Sequence, residues 1–152
     1  MKHLLSTLVI FISAASQGPP GVLPQAILGS WSVERPYDTR GPVGLTAKQE
    51  MHIRKLRLHY TLKALSVCGK TIPLQSVAIV SLTSDAFLQT YRFLPKTIGL
   101  DGSAVLEVSI HNTDMMNACG DYEGSPGMHL LLGQNRHVVM EVGNAYFPLR
   151  KH

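Results

Sequence analysis

Seven histidines are the residues in this chain best suited to do chemistry. Zinc sites draw on short, fixed spacings such as His-x-x-x-His or Cys-x-x-Cys. No pair here has such a spacing. His52 and His59 are too far apart, and His129 and His137 flank an expected hairpin. His3 sits in the N-terminal apolar segment and His152 is the last residue. His59 and His111 fall on the polar faces of expected strands, where a histidine ordinarily meets solvent. Haem can be held by a single histidine, but nothing else in the chain points to it. The expectation is therefore no metal and no cofactor.

Nucleophilic catalysis needs a serine or cysteine, a base within reach and an acid to orient the base. The chain has no Gly-x-Ser-x-Gly elbow. Ser109, His111 and Asp114 are close in sequence, yet Ser109 and His111 merely share a strand face, about 7 Å apart. The acids Asp121 and Glu123 lie in a loop beside Cys119, with no second wall to make a glycosidase cleft. No glycine loop is placed to cradle a phosphate. These residues predict a protein that is not an enzyme.

Cys68 and Cys119 are the only two cysteines. Neither belongs to a Cys-x-x-Cys redox pair. In an exported chain an even count predicts a disulfide. Such a bond would close a loop of 51 positions. The chain-entropy model values that closure at roughly 4 kcal/mol.

Export is itself predicted by the first residues. Lys2 gives a positive start, Leu4 to Ile12 form an apolar run, and Ala14, Ala15 and Ser16 supply small residues for cleavage. That is the pattern of a secretory signal peptide over residues 1–15. The run is too short to span a membrane, which needs about 18 apolar residues or more. No lipobox cysteine follows it, so no lipid anchor is expected. The next stretch, 16–28, contains Gly18-Pro19-Pro20-Gly21 and Pro24 and is expected to be a tether. The mature protein should be periplasmic or fully secreted.

Composition excludes several classes. Apolar residues make up 45% and charged residues 16% of the 152 positions, which rules out wholesale disorder. The net charge is +4, and losing Lys2 lowers it slightly. The bases are scattered apart from His52-Ile53-Arg54-Lys55-Leu56-Arg57, near one aromatic residue, Tyr60. A nucleic-acid surface needs a broader basic stripe with aromatics, so no nucleic-acid partner is expected.

The elements that must position these groups follow from hydrophobic period. Leu28 to Glu34 alternates, with Trp31 and Val33 on one face. Thr46 with Gln49 has capping-box spacing and opens a short helix into which Met51 and Ile53 pack. Leu56, Leu58 and Tyr60 alternate with Arg57 and His59. Ala64 to Val67 pairs back as a hairpin, and Cys68-Gly69-Lys70 is a turn. Ser76 to Leu82 is a β-branched strand, and Thr83 caps a second short helix carrying Phe87, Leu88 and Tyr91. Ala104, Leu106, Val108 and Ile110 mark the clearest strand. Asn112 to Gly127 is a loop. Met128–Leu132 and His137–Val142 form a hairpin, and Gly143-Asn144 turns into a last strand. The sum is a mainly β fold: a small antiparallel β-barrel of about eight strands with one or two short helices, over residues 29–150.

Gly29-Ser30-Trp31, opening the first strand just after a signal peptide, resembles the start of a lipocalin. Thr113-Asp114-Met115 is loosely similar to the lipocalin Thr-Asp-Tyr turn, without its tyrosine. Arg150 follows the last strand, where lipocalins carry an arginine over that tryptophan. The order also looks like that of small secreted bacterial lipocalin-like domains. The resemblance implies a calycin-type barrel whose base is plugged by Trp31, with Arg150 lying on its face as a cation–π partner. It departs in length: the mature chain leaves no room for a long C-terminal helix, which puts a large internal cavity in question.

Two functions follow as expectations. The first is an exported monomeric barrel binding a small hydrophobic or amphipathic molecule, lined by Leu58, Tyr60, Leu106, Val108 and Met140. The second is a barrel with a filled core that works as an inhibitor or accessory subunit of an envelope protein. Its contact surface would be the loop Asn112 to Gly127, where Met115, Met116 and nearby Met128 could adapt to a partner.

Overall fold

The computed structural model describes residues 21–113, 119–120 and 125–152. The expected signal peptide, residues 16–20 of the expected tether, and Asp114, Met115, Met116, Asp121 and Glu123 lie outside the described residues.

Nine antiparallel strands make one sheet: β1 (Gly29–Val33), β2 (Arg57–Tyr60), β3 (Ala64–Val67), β4 (Lys70–Pro73), β5 (Ser76–Thr83), β6 (Ala104–His111), β7 (His129–Leu132), β8 (Val138–Val142) and β9 (Ala145–Lys151). Among the described residues, two helices, α1 (Ala47–Ile53) and α2 (Ser84–Tyr91), and a 3₁₀ turn, Pro95–Ile98, accompany the sheet. The spatial order is β4-β3-β2-β1-β9-β8-β7-β6-β5. The first strand thus pairs with the last, and the edges are β4 and β5. Only Leu74 and Gln75 separate those edge strands in the chain. A sheet this wide can place its edges two residues apart only by curling. Gln75 pins the corner: its N–H donates to the His111 carbonyl at 3.3 Å, and its Oε1 accepts from the Thr113 N–H at 3.1 Å. The result is one curled antiparallel sheet, a half-barrel consistent with a small β-barrel.

The expected strands are present, and β4 is an addition to them. It follows a two-residue turn, Cys68-Gly69, in which both residues have positive φ, 53° and 72°. That is the geometry of a tight hairpin. The turn falls where Cys68-Gly69-Lys70 predicts it, but Lys70 opens a four-residue strand that ends at Pro73.

Strand alternation sorts the side chains into two cores. Trp31, Leu58, Tyr60, Val108, Met140 and Phe147 point inward with their neighbours and are all buried. Burying each such side chain is worth about 1.5–3 kcal/mol. The convex face carries a second, smaller core. There Phe87 of α2, Ile98 and Leu100 pack on Val105, Leu131, Val139 and Tyr146.

The helices begin where the caps predict. Thr46 and Gln49 form the reciprocal capping box, with Gln49 N–H donating to Thr46 Oγ1 at 3.2 Å and Thr46 N–H donating to Gln49 Oε1 at 2.8 Å. Ile53 is buried, but Met51 is 56% exposed. Residues two apart on a helix point in nearly opposite directions, so the two could not both pack down. Thr83 caps α2 by accepting from Ala86 N–H at 3.2 Å. Phe87 is buried, Tyr91 is half-buried, and Leu88 is exposed.

Two expected features take a different form. From Gly21 onward the stretch expected to be a tether is packed. Gly21 N–H donates to the Val77 carbonyl at 2.8 Å, and Leu23 and Ile27 are buried in the inner core. Trp31 is buried, and its indole N–H donates to the Ile27 carbonyl at 2.7 Å. The cation over its ring is Lys151, with Nζ 5.3 Å from the centroid, and not Arg150. Register gives the reason. Trp31 lies opposite Lys151 while Ser32 lies opposite Arg150, so alternation sends Arg150 to the other face. There it reaches Glu34 at 3.6 Å and stays exposed.

Candidate functional site

The convex face of β6, β7, β8 and β9 carries a compact polar cluster. The pairing of Leu130 with Met140 puts His129 opposite Glu141, and Glu141 lies opposite Tyr146. Glu107 on β6 lies opposite Leu131, two positions along from His129. Alternation places all four on one face. Helix α2 ends above them and lowers Tyr91 onto the same spot.

The contacts are short. The His129 Nδ1–H donates to Glu141 Oε2 at 2.9 Å. On the other side of the ring, Nε2 lies 3.8 Å from Glu107 Oε1. The Tyr91 hydroxyl donates to Glu107 Oε2 at 2.6 Å and sits 3.4 Å from His129 Nε2. Glu141 Oε1 accepts the backbone N–H of Asn144 at 2.8 Å. Asn144 follows Gly143 in a two-residue turn with φ values of 57° and 60°. The Gly143-Asn144 hairpin therefore helps to hold the carboxylate.

The electrostatics follow from this packing. Burial by itself would lower the His129 pKa, but the hydrogen bonds and charges of Glu107 and Glu141 outweigh it and push it up to about 9. His129 is an imidazolium at neutral pH. Its hydrogen bond holds Glu107 below the usual carboxylate range, against the upward pull of burial. Burial raises the Tyr91 phenol, and the Glu107 carboxylate raises it further, so it keeps its proton. Tyr146 is pushed up to about 12 by burial and by Glu141. Two carboxylates and one imidazolium leave the cluster with one net negative charge.

An aromatic wall stands beside it. Phe93 meets Tyr146 edge-on at 4.9 Å, Tyr91 stacks on Phe87 at 4.5 Å, and the Tyr91 and His129 rings lie 6.5 Å apart. Together with the loop at Thr39–Pro42, Tyr91, Phe93, His129 and Tyr146 bound an open cleft of about 650 Å³. Arg40 and Arg92 stand on its rim. The volume is in the range of small-molecule sites.

Two other clefts are described. One, about 460 Å³, runs beside Ser30, His59 and Lys70 at the β2–β4 side. The other, about 840 Å³, lies beside Trp31, Arg136 and Arg150. His59 and His111 are exposed, as their strand faces predict. No cluster of three metal-ligating side chains is found among the described residues.

The residues expected to line a ligand chamber share the inner face. Leu58, Tyr60, Val108 and Met140 are buried and Leu106 is partly so. Only Leu58 borders any of the three clefts. Gly127 packs directly beside them. The Tyr60 hydroxyl donates to the Gly127 carbonyl at 2.8 Å, and Gly127 N–H points at the Met140 sulfur at 3.1 Å. Gly127 has φ +89°, and a Cβ there would come within 2.9 Å of Leu65. Only glycine fits so close to the inner side chains.

Cys68 and Cys119 are bonded, with Cα atoms 5.4 Å apart, tying the β3–β4 turn to the loop after β6. A disulfide is compatible with an oxidising, exported location. No described helix is long and apolar enough to cross a membrane.

The sequence hid the cluster because its members are far apart in the chain. The one available signal was register: His129 and Glu141 stand at equal distances from Asn135, within the Gly133–Arg136 turn. No family model, no curated protein and no solved structure matches this chain.

Proposed function

We propose that this protein is an exported, lipocalin-like barrel that binds a small amphipathic molecule, and that it does so in the convex-face cleft and not inside the barrel. One observation carries the proposal. The imidazolium–dicarboxylate cluster and the aromatic wall meet in a cleft open to solvent, while most of the side chains expected to line an inner chamber are themselves buried and Gly127 packs against Tyr60 and Leu58. Partly buried charges are costly to hold, and perturbed groups in a cleft mark functional sites more often than chance. An imidazolium already bonded on both sides is a poor base at neutral pH, and a lowered carboxylate is a weak one. The cluster therefore suits recognition better than proton transfer. The up-and-down strand order, with β1 paired to β9, supports the barrel family resemblance.

Native mass spectrometry of the mature protein, produced in an oxidising compartment, tests this. A non-covalent adduct on the wild type that is lost in Phe93→Ala supports cleft binding. An adduct kept by Phe93→Ala and lost in Val108→Phe, which fills the interior, contradicts it.

A further inference from the structure

Arg40 and Arg92 share an unusual backbone feature. Their φ values are +56° and +67°, in the left-handed region where glycine is the natural occupant. Arg92 is the C-cap of α2, a position at which glycine is the usual choice, and its N–H donates to the Leu88 carbonyl at 2.9 Å. Arg40 turns over Asp38, its N–H donating to Asp38 Oδ1 at 2.9 Å. Both turns would be made more easily by glycine. Of the five non-glycine residues with positive φ among the described residues, Arg40, Arg92 and Asn144 border this one cleft. Asn144 tolerates that region; arginine has no such excuse. Strain of this kind gathers where a side chain is needed.

Neither guanidinium is ion-paired among the described residues. Both residues are exposed, and no carboxylate among the described residues lies within 4 Å of either. The nearby carboxylates of Glu107 and Glu141 are committed to His129, Tyr91 and Asn144. The rim is thus cationic and unpaired, above aromatic rings that can take an apolar body.

We propose that Arg40 and Arg92 form a clamp for an oxyanion, a carboxylate or a phosphate, on a ligand whose apolar part rests against Phe93 and Tyr146. The clamp rests on the cleft-binding proposal above and names the ligand class. Guanidinium suits either oxyanion because its planar fork can donate two parallel hydrogen bonds.

Three probes with one aromatic body test it by calorimetric titration at neutral pH: 2-naphthoate, 2-naphthyl phosphate and uncharged 2-naphthol. Titrations of the wild type, Arg40→Gly and Arg92→Gly are compared, with melting temperatures for each. The clamp predicts that at least one anionic probe binds about tenfold or more tighter than 2-naphthol. It predicts that each glycine variant loses most of that advantage, leaves 2-naphthol binding unchanged, and melts at the same or a higher temperature. The preferred anionic probe identifies the oxyanion. Equal binding of all three probes, unaffected by the variants, overturns the clamp and leaves the cleft in place. Loss of all binding together with a lower melting temperature makes the arginines structural and also overturns it. If no probe binds the wild type, the cleft proposal falls and the clamp with it.

Discussion

His129 and Glu141 face each other across β7 and β8, with Nδ1 2.9 Å from Oε2 on the convex face of the sheet. With Glu107 on the far side of the ring, this pair keeps a proton on His129 well past neutral pH. The same contact fixes how stability must depend on pH.

The His129 pKa rises from 6.5 to about 9 on folding. Its stabilising contribution is complete below pH 6.5 and is lost as the pH climbs toward about 9. The contribution is on the order of 1–3 kcal/mol, allowing for partial exposure. Glu107 acts in the opposite sense. Its pKa is lowered, so its contribution is present above the ordinary value of 4.5 and fades as pH falls through its lowered pKa. Urea melts across this range should show greatest stability at mildly acidic pH. His129→Gln should flatten the alkaline decline; an equally steep decline in that variant would contradict the assignment.

Tyr91 and His129 both hold Glu107 ionised, but unequally. The His129 hydrogen bond lowers its pKa more than the Tyr91 hydroxyl does. Carbon-detected NMR titration of the glutamate side chain should therefore show a small upward shift in Tyr91→Phe and a larger one in His129→Gln. Tyr91→Phe should also cost about 1 kcal/mol of stability. The reverse order of shifts would mean that the phenol, not the imidazolium, dominates.

Cys68→Ala with Cys119→Ala removes the bond that closes a loop of 51 positions. The expected loss is roughly 3–4 kcal/mol, less whatever structure the unfolded chain retains. Chemical denaturation of the wild type with and without reductant should show the same drop. A change under about 1 kcal/mol would mean the loop is held by other contacts, such as Tyr60 to Gly127.

Trp31 is the only tryptophan, so its fluorescence reports the barrel base alone. Lys151 lies over its ring while Arg150 points away to Glu34. Lys151→Met should shift the emission and cost about 0.5–1 kcal/mol. Arg150→Met should leave the spectrum unchanged and cost less than about 0.5 kcal/mol, as an exposed pair. An emission shift in Arg150→Met alone would reverse the register argument.

Much of the fold could be read from the chain because local rules and the tertiary structure agree. Trp31, Leu58 and Val108 sit inward as alternation predicts, and Thr46 and Thr83 both cap helices. Failures occurred where one residue broke a local rule. Lys70–Pro73 is short and ends in a proline, so β4 does not read as a strand although the turn before it does. Prolines in the 16–28 stretch imply a loose segment, but Leu23 and Ile27 supply enough apolar surface to dock it from Gly21 on. At the base, Lys151 and Arg150 differ by one position, and only the β1–β9 register decides which one faces Trp31. The cleft was the least legible part. Tyr91, Glu107, His129 and Glu141 come from four elements, and none stands in a motif with another.

The central claim is that ligands occupy the convex-face cleft and leave the barrel interior closed. Methyl and aromatic NMR of the labelled protein, titrated with 2-naphthoate, locates the bound molecule directly. The claim predicts shifts at Phe93, His129, Val139 and Tyr146, with the Val108 and Met140 methyls unmoved. Saturable shifts centred on Val108 and Met140 would place the ligand inside the barrel and contradict it.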